Sequence, residues 1–186
     1  MSLFGDGLDA AVQKAFTRPA PKSAGAQMRY LVKQLKGTKP VAQMLRISQR
    51  TVERYVKDQI KKPRPDLAAR LEREVKKRWQ PQIRAKARQR AATTGGIIID
   101  TRARIGYIAP AGTTDDARLR HLTVALPPQY AARLFDAQQA GASDQELLQQ
   151  ITAEGLKEMY FQDSGRRAGQ LEQVRFTDIE HIEFDL

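Results

Sequence analysis

The chain has 186 residues, a net charge of +11, two histidines and no cysteine. That length suits one ordinary domain or two small ones, and the lack of cysteine excludes disulfides and thiolate metal sites. Hydrophobic residues make up 41% of the chain, enough for a folded core, yet no run approaches the roughly 18 apolar residues of a membrane span.

The opening Met1-Ser2-Leu3-Phe4-Gly5-Asp6 has neither the basic nor the apolar region of a secretory signal, so a cytoplasmic protein with no membrane partner is expected. His121 and His181 stand too far apart in sequence to form a metal cluster alone, and no structural metal is expected.

The positive charge is segregated. Residues 1–21 are neutral, residues 22–90 carry 21 Lys/Arg against five Asp/Glu, and residues 91–186 carry nine against 14. A solvated surface of mixed sign has no reason to separate its charges in this way. A phosphate-binding surface does, because each Lys or Arg that releases a counterion adds affinity. Nucleic acid is therefore the expected partner.

In chain order, Asp9 to Phe16 predicts a short amphipathic helix, ended by the linker Arg18-Pro19-Ala20-Pro21. From Ser23 to Lys36, Met28, Leu31, Val32 and Leu35 recur at helical spacing, and Gly37 supplies a stop. Lys39 to Val56 then reads as two short helices about a tight turn. Val41, Ala42 and Leu45 face inward on the first, Ile47 plugs the turn, Ser48 is placed to cap the second, and Val52, Tyr55 and Val56 pack it back.

Gln49, Arg50, Thr51 and Arg54 remain outward, side chains of the kind that reach base edges and phosphates. This stretch of about twenty residues resembles the helix-turn-helix of bacterial transcriptional regulators and transposase-like proteins. With the cap Ser48 and the following Lys57, Lys61 and Lys62, these residues form the candidate DNA-reading set.

Past Lys61-Lys62-Pro63-Arg64-Pro65, Asp66 can cap a long helix with Leu67, Leu71 and Val75 on one face. Arg70, Arg73, Lys76, Lys77 and Arg78 lie on the others. Arg73, Lys76, Lys77 and Arg78 are candidates for phosphate contact. Pro81 kinks or interrupts this helix. The weakly apolar run to Arg90 reads as a helix along a phosphate backbone or a basic tether. Ala91-Ala92-Thr93-Thr94-Gly95-Gly96 is expected to mark a domain boundary.

Beyond it, three strands are predicted: Ile97-Ile98-Ile99, Arg104 to Ile108, and Arg118 to Leu126. The last two form a hairpin about the turn-rich Pro110 to Asp116. Pro127-Pro128 opens a helix to Ala140, and Ser143-Asp144-Gln145-Glu146 is a capping box for another to about Phe161. Val174 to Phe176 and Ile182 to Phe184 alternate as further strands, with Asp178, Glu180, Glu183 and Asp185 near their outer face.

The expected fold class is α+β. An N-terminal all-helical helix-turn-helix domain is followed by a smaller α+β domain with a β-hairpin and two helices. The expected divisions are 1–21 (helix and linker), 22–90 (basic DNA-binding domain) and 91–186.

Catalytic motifs are missing. Asp100, Asp115, Asp116 and Asp136 follow no recognisable Mg²⁺-binding spacing, His121 reads as a strand residue, and neither Gly-x-Ser-x-Gly nor a phosphate loop occurs. Neither catalytic activity nor a cofactor of its own is therefore expected.

The whole chain resembles the telomere terminal proteins (Tpg type) of linear actinomycete chromosomes and plasmids. The likeness runs from Met1-Ser2-Leu3-Phe4-Gly5-Asp6-Gly7-Leu8-Asp9 through the helix-turn-helix, Gly95-Gly96-Ile97-Ile98-Ile99-Asp100-Thr101-Arg102-Ala103 and the hairpin loop Gly112-Thr113-Thr114-Asp115-Asp116 to the acidic end. The resemblance implies a protein primer, covalently attached to the 5′ end of linear DNA, that supports patching of the 3′ overhang.

It implies three partners: telomeric DNA (duplex and 3′ overhang), a telomere-associated protein, and a DNA polymerase that supplies the Mg²⁺ and dNTP. It also implies a nucleoid location at replicon ends and places the priming hydroxyl on Thr114, with Thr113 as the neighbouring alternative. Thr114 is expected near the middle of the Pro110 to Ala117 connection. A sequence-specific regulator, with a dimerising or ligand-sensing C-terminal domain, would account equally for the N-terminal half.

Overall fold

In the computed structural model, which describes residues 3–108, 114–141, 145–161 and 173–186, the chain is a mixed α+β protein. Two units share it: residues 17–81 form one, and residues 1–16 together with 82–186 form the other.

The helical unit holds α2 (Ala24–Gln34), α3 (Thr38–Leu45), α4 (Gln49–Val56) and α5 (Pro65–Arg78). Ser23 caps α2, its hydroxyl accepting from the Ala26 N–H at 3.3 Å. Met28, Leu31, Val41, Leu45, Val52, Leu71 and Val75 meet in one core, the i, i+3/i+4 pattern that puts each helix's apolar stripe inward. Asp66 lies in the first turn of α5, while Arg64 holds the N-cap position and Pro65 begins the helix. Proline suits that place because its missing N–H would have had no partner there.

The other unit begins with α1 (Leu3–Lys14). Its Phe4, Leu8, Ala11 and Val12 pack into the same core as Ile182 and Phe184, and Lys14 Nζ lies 2.8 Å from a Glu183 carboxylate oxygen. Helix α6 (Pro81–Arg90) runs into a π-helical turn, Ala91–Gly95. The expected division at residues 91–96 therefore falls inside a unit, and the expected N-terminal segment 1–21 is split. A short amphipathic helix needs an apolar surface to cover, and the sheet supplies it. The α+β unit, to which α1 and α6 also belong, is the larger of the two, contrary to expectation.

The sheet is antiparallel, in the order β2-β1-β3. It consists of β1 (Ile97–Ile108), β2 (Thr114–Leu126) and β3 (Gln173–Asp185). Ile97-Ile98-Ile99 and Arg104 to Ile108, expected as separate strands, are the two ends of β1. The polar stretch between them continues the alternation, with Thr101 and Ala103 buried and Asp100, Arg102 and Arg104 on the other face. Likewise the two acidic C-terminal segments are one strand. Its register shifts opposite Arg102 to Arg104, and Asp178 there takes φ 49°, a bulge that shields two runs of strand from being read as one.

Helices α7 (Pro128–Gln139) and α8 (Gln145–Leu156) join α1 in covering the inner face. The pairing Ile108↔Thr114 closes the β1–β2 hairpin, so the connection is residues 109–113. Among the described residues no helix is long and apolar enough to cross a membrane.

Gly96 admits the chain to the sheet. Its φ is +71°, and a Cβ there would strike the Leu126 carbonyl oxygen. Both the left-handed backbone and the clash with a paired strand act against a side chain. Gly96→Ala is expected to lower stability by on the order of 2 kcal/mol, seen as a lower denaturation midpoint for the full chain. An unchanged midpoint would contradict this account of the β1 entry.

Candidate nucleic-acid interface

The helical unit carries 18 Lys/Arg against five Asp/Glu, a net charge of +13 over residues 17–81. Most of the chain's positive charge is thus carried by about a third of its length. Helix α4 separates its polar and apolar faces more sharply than the other helices described.

How α4 is held follows from the turn before it. Arg46 ends α3 in the left-handed conformation, φ 54° and ψ 48°, with its N–H on the Ala42 and Gln43 carbonyls. The Ile47 N–H also bonds to Ala42 O, at 3.0 Å, satisfying carbonyls the helix end would leave open. Ser48 Oγ accepts from the Thr51 N–H at 3.2 Å and sits 2.8 Å from Thr51 Oγ1. The hydroxyls of Ser48 and Thr51 are therefore occupied in starting α4, the role expected of an N-cap pair.

The far end of α4 is anchored to α2. Arg29 donates to the Val56 carbonyl at 2.9 Å and to Asp58 at 2.7 Å. Gly25 on α2 stands where an added Cβ would lie 3.0 Å from Tyr55 O, so the two helices approach as closely as a missing side chain allows. Val52 and Tyr55 are buried, and Gln49, Arg50 and Arg54 are exposed. Rigid placement by core, cap and ion pair leaves three long side chains facing outward on an eight-residue helix.

The expected phosphate contacts divide. Lys57, Lys61 and Lys62 are exposed after α4, and Arg73 and Lys77 are exposed one turn apart on α5. Lys76, also exposed, lies 2.7 Å from Glu72. Arg78 is part-buried, pairs with Glu74 and carries a carbonyl that accepts from the Tyr30 hydroxyl at 2.6 Å. It closes α5 rather than standing free. Periodicity places a residue on a face but does not show which cations find a carboxylate four positions back.

On α6, Arg84 has a side chain 8% exposed and lies 2.8 Å from Asp9. Arg88 reaches Gln138 Oε1 at 3.2 Å and covers the Phe135 ring. Burial lowers the Arg88 pKa, assisted by the neighbouring Arg84 charge. These two arginines, read in sequence as part of a phosphate-facing stretch, help dock α1 and α7 within the α+β unit.

Thr114, expected near the middle of a loop, is the first residue of β2. Thr113 lies outside the described residues. The acidic residues Asp178, Glu180, Glu183 and Asp185 neutralise cations of their own unit: Arg104, Arg102 and Lys14.

His121 and His181 both stand opposite Arg102, one on each side of β1. Their Nε2 atoms lie 3.2 and 3.5 Å from the same Asp100 oxygen. Thr123 donates to the other Asp100 oxygen at 2.6 Å. That hydroxyl, then His121, holds the Asp100 carboxyl below its ordinary value. The order of three antiparallel strands is what brings the histidines together, and nothing in their spacing discloses it. Among the described residues no three His, Asp or Glu side chains are disposed to hold a metal ion.

If Arg73 and Lys77 touch phosphates, Arg73→Ala with Lys77→Ala should flatten the slope of log affinity against log salt by about 2, alike for all duplex sequences. A salt titration by fluorescence anisotropy reads this directly; an unchanged slope would remove α5 from the interface.

No family model, no curated protein and no solved structure matches the chain.

Proposed function

We propose that this chain binds duplex DNA through α4, a helix-turn-helix recognition helix preceded by α3, and serves as a protein primer at the ends of linear replicons. The observation that carries the DNA reading is the exposed Gln49, Arg50 and Arg54 face of α4, capped and packed from behind, in a unit of net charge +13. Long side chains on a rigid helix reach base edges, and the surrounding Lys and Arg supply the phosphate attraction that is independent of sequence.

The priming reading rests on the chain-long likeness to telomere terminal proteins, which assigns the acceptor hydroxyl to Thr114. Its location at the turn end of a hairpin suits a group that must enter another protein's active site. The reaction needs no metal held by this chain, since a polymerase brings its own ions to the nucleotide. A telomere-associated protein and the polymerase complete the assembly. The α+β unit would present the hydroxyl while the helical unit supplies the DNA grip.

Anisotropy with labelled duplex tests the DNA reading. Binding at about 50 mM salt that weakens by roughly 10³-fold at about 200 mM, as six or so phosphate contacts require, is the expected result. No binding at the lower salt would refute it.

A further inference from the structure

Gln49 and Glu53 lie one turn apart on α4, and Gln49 Nε2 donates to Glu53 Oε1 at 3.0 Å. A carboxylate at neutral pH only accepts, so the nitrogen end of the amide must be the end that faces it. The bond therefore fixes the sense of the amide as well as its position. An unrestrained glutamine can turn its amide over, offering a base either a donor beside an acceptor or two donors. With one N–H committed to Glu53, a single N–H and the carbonyl oxygen remain.

That remainder distinguishes the purines. In the major groove adenine shows the N6 amino donor beside the N7 acceptor, whereas guanine shows two acceptors, O6 and N7. The restrained amide complements adenine at both atoms. Against guanine it would set its carbonyl oxygen facing O6. We infer that Gln49 reads an adenine and that Glu53 is the positioning residue that holds it to that choice, an inference that rests on α4 reading duplex DNA.

A second feature agrees. Glu53 is the one acidic residue of α4 and is half-buried beside two exposed arginines, Arg50 and Arg54. A negative charge there weakens attraction to phosphate in general. Its place on a DNA-facing helix is explained if it improves discrimination at the expense of affinity.

The test uses the full chain and a pool of randomised duplexes. The preferred duplex is then compared with versions in which each A·T pair is changed to G·C. Wild type should prefer adenine over guanine at one position of its site by about tenfold or more. Gln49→Ala and Glu53→Ala should each bring that ratio close to one at that position and leave the other positions unchanged, and Glu53→Ala should bind random duplex more tightly. Glu53→Gln, which keeps an acceptor, should retain part of the preference.

A residue that only supported the helix would weaken binding to all sequences alike. Should Glu53→Ala fail to fold, Gln49→Ala and Glu53→Gln decide the matter. Retention of the full preference in the variants, a preference for guanine, or wild-type binding with no preference would overturn the inference while leaving DNA binding intact. Failure of wild type to bind any duplex at low salt would overturn the DNA reading itself.

Discussion

Thr114→Ala is expected to abolish attachment of nucleotide to the chain while leaving its affinity for duplex DNA unchanged. In the proposed step Thr114 Oγ1 attacks the α-phosphorus of a dNTP, an O–P bond forms, pyrophosphate departs, and the hydroxyl proton passes to the polymerase site or solvent. Without the oxygen there is no bond to form. The polymerase ions stabilise the charge that develops and align the attack, and none of that machinery can replace the nucleophile.

The substitution should spare the fold. Thr114 opens β2 through a backbone pairing with Ile108, which alanine can make equally well, so circular dichroism and denaturation should match wild type. Thr114→Ser keeps the oxygen and loses the methyl that restricts its rotamer; partial attachment is expected. Thr113→Ala should reduce attachment without abolishing it. Peptide mapping that places the nucleotide on Thr113, Thr101 or a serine, with Thr114 unmodified, would show the assignment to be wrong.

The second large effect concerns α4. Arg50 and Arg54 lie four residues apart on one exposed stripe, the spacing that brings side chains together on a helix surface. Arg50→Ala and Arg54→Ala should each weaken duplex binding by on the order of 1–3 kcal/mol. Neither side chain contributes to the core formed by Val52 and Tyr55, so helicity and the denaturation midpoint should hold. Full affinity in both variants would remove α4 from the interface.

Local patterns carried the helical unit well. Ser48 followed by Val52 and Tyr55 specifies a capped helix with an apolar face, and all its signals lie within eight or so residues. Long-range pairing was a different matter. Asp9 to Phe16 predicted a helix, but Phe4 and Leu8 extend it toward the N-terminus, and only the sheet explains where its apolar face goes. Asp100, Arg102 and Arg104 made the middle of β1 look like a break because polar residues there alternate with Thr101 and Ala103 on a sheet with one face open.

At the candidate site the outward residues of α4 were readable from period alone. The carboxylates that engage Gln49 and the basic residues of α5 and α6 were not: Glu53 on Gln49, Glu72 on Lys76, Glu74 on Arg78 and Asp9 on Arg84. Charge counting treats every arginine alike. Whether one faces solvent or closes a helix depends on neighbours the count ignores, as Arg54 and Arg78 illustrate.

Priming is tested most directly by incubating the full chain with DNA polymerase, a template bearing the replicon end, Mg²⁺ and labelled dNTP, then boiling the mixture in detergent before electrophoresis. The account predicts label that migrates with the protein, persists through denaturation and disappears with Thr114→Ala. Label lost entirely on boiling, from a chain that still binds the same DNA, would contradict it and identify a regulator that merely releases its DNA.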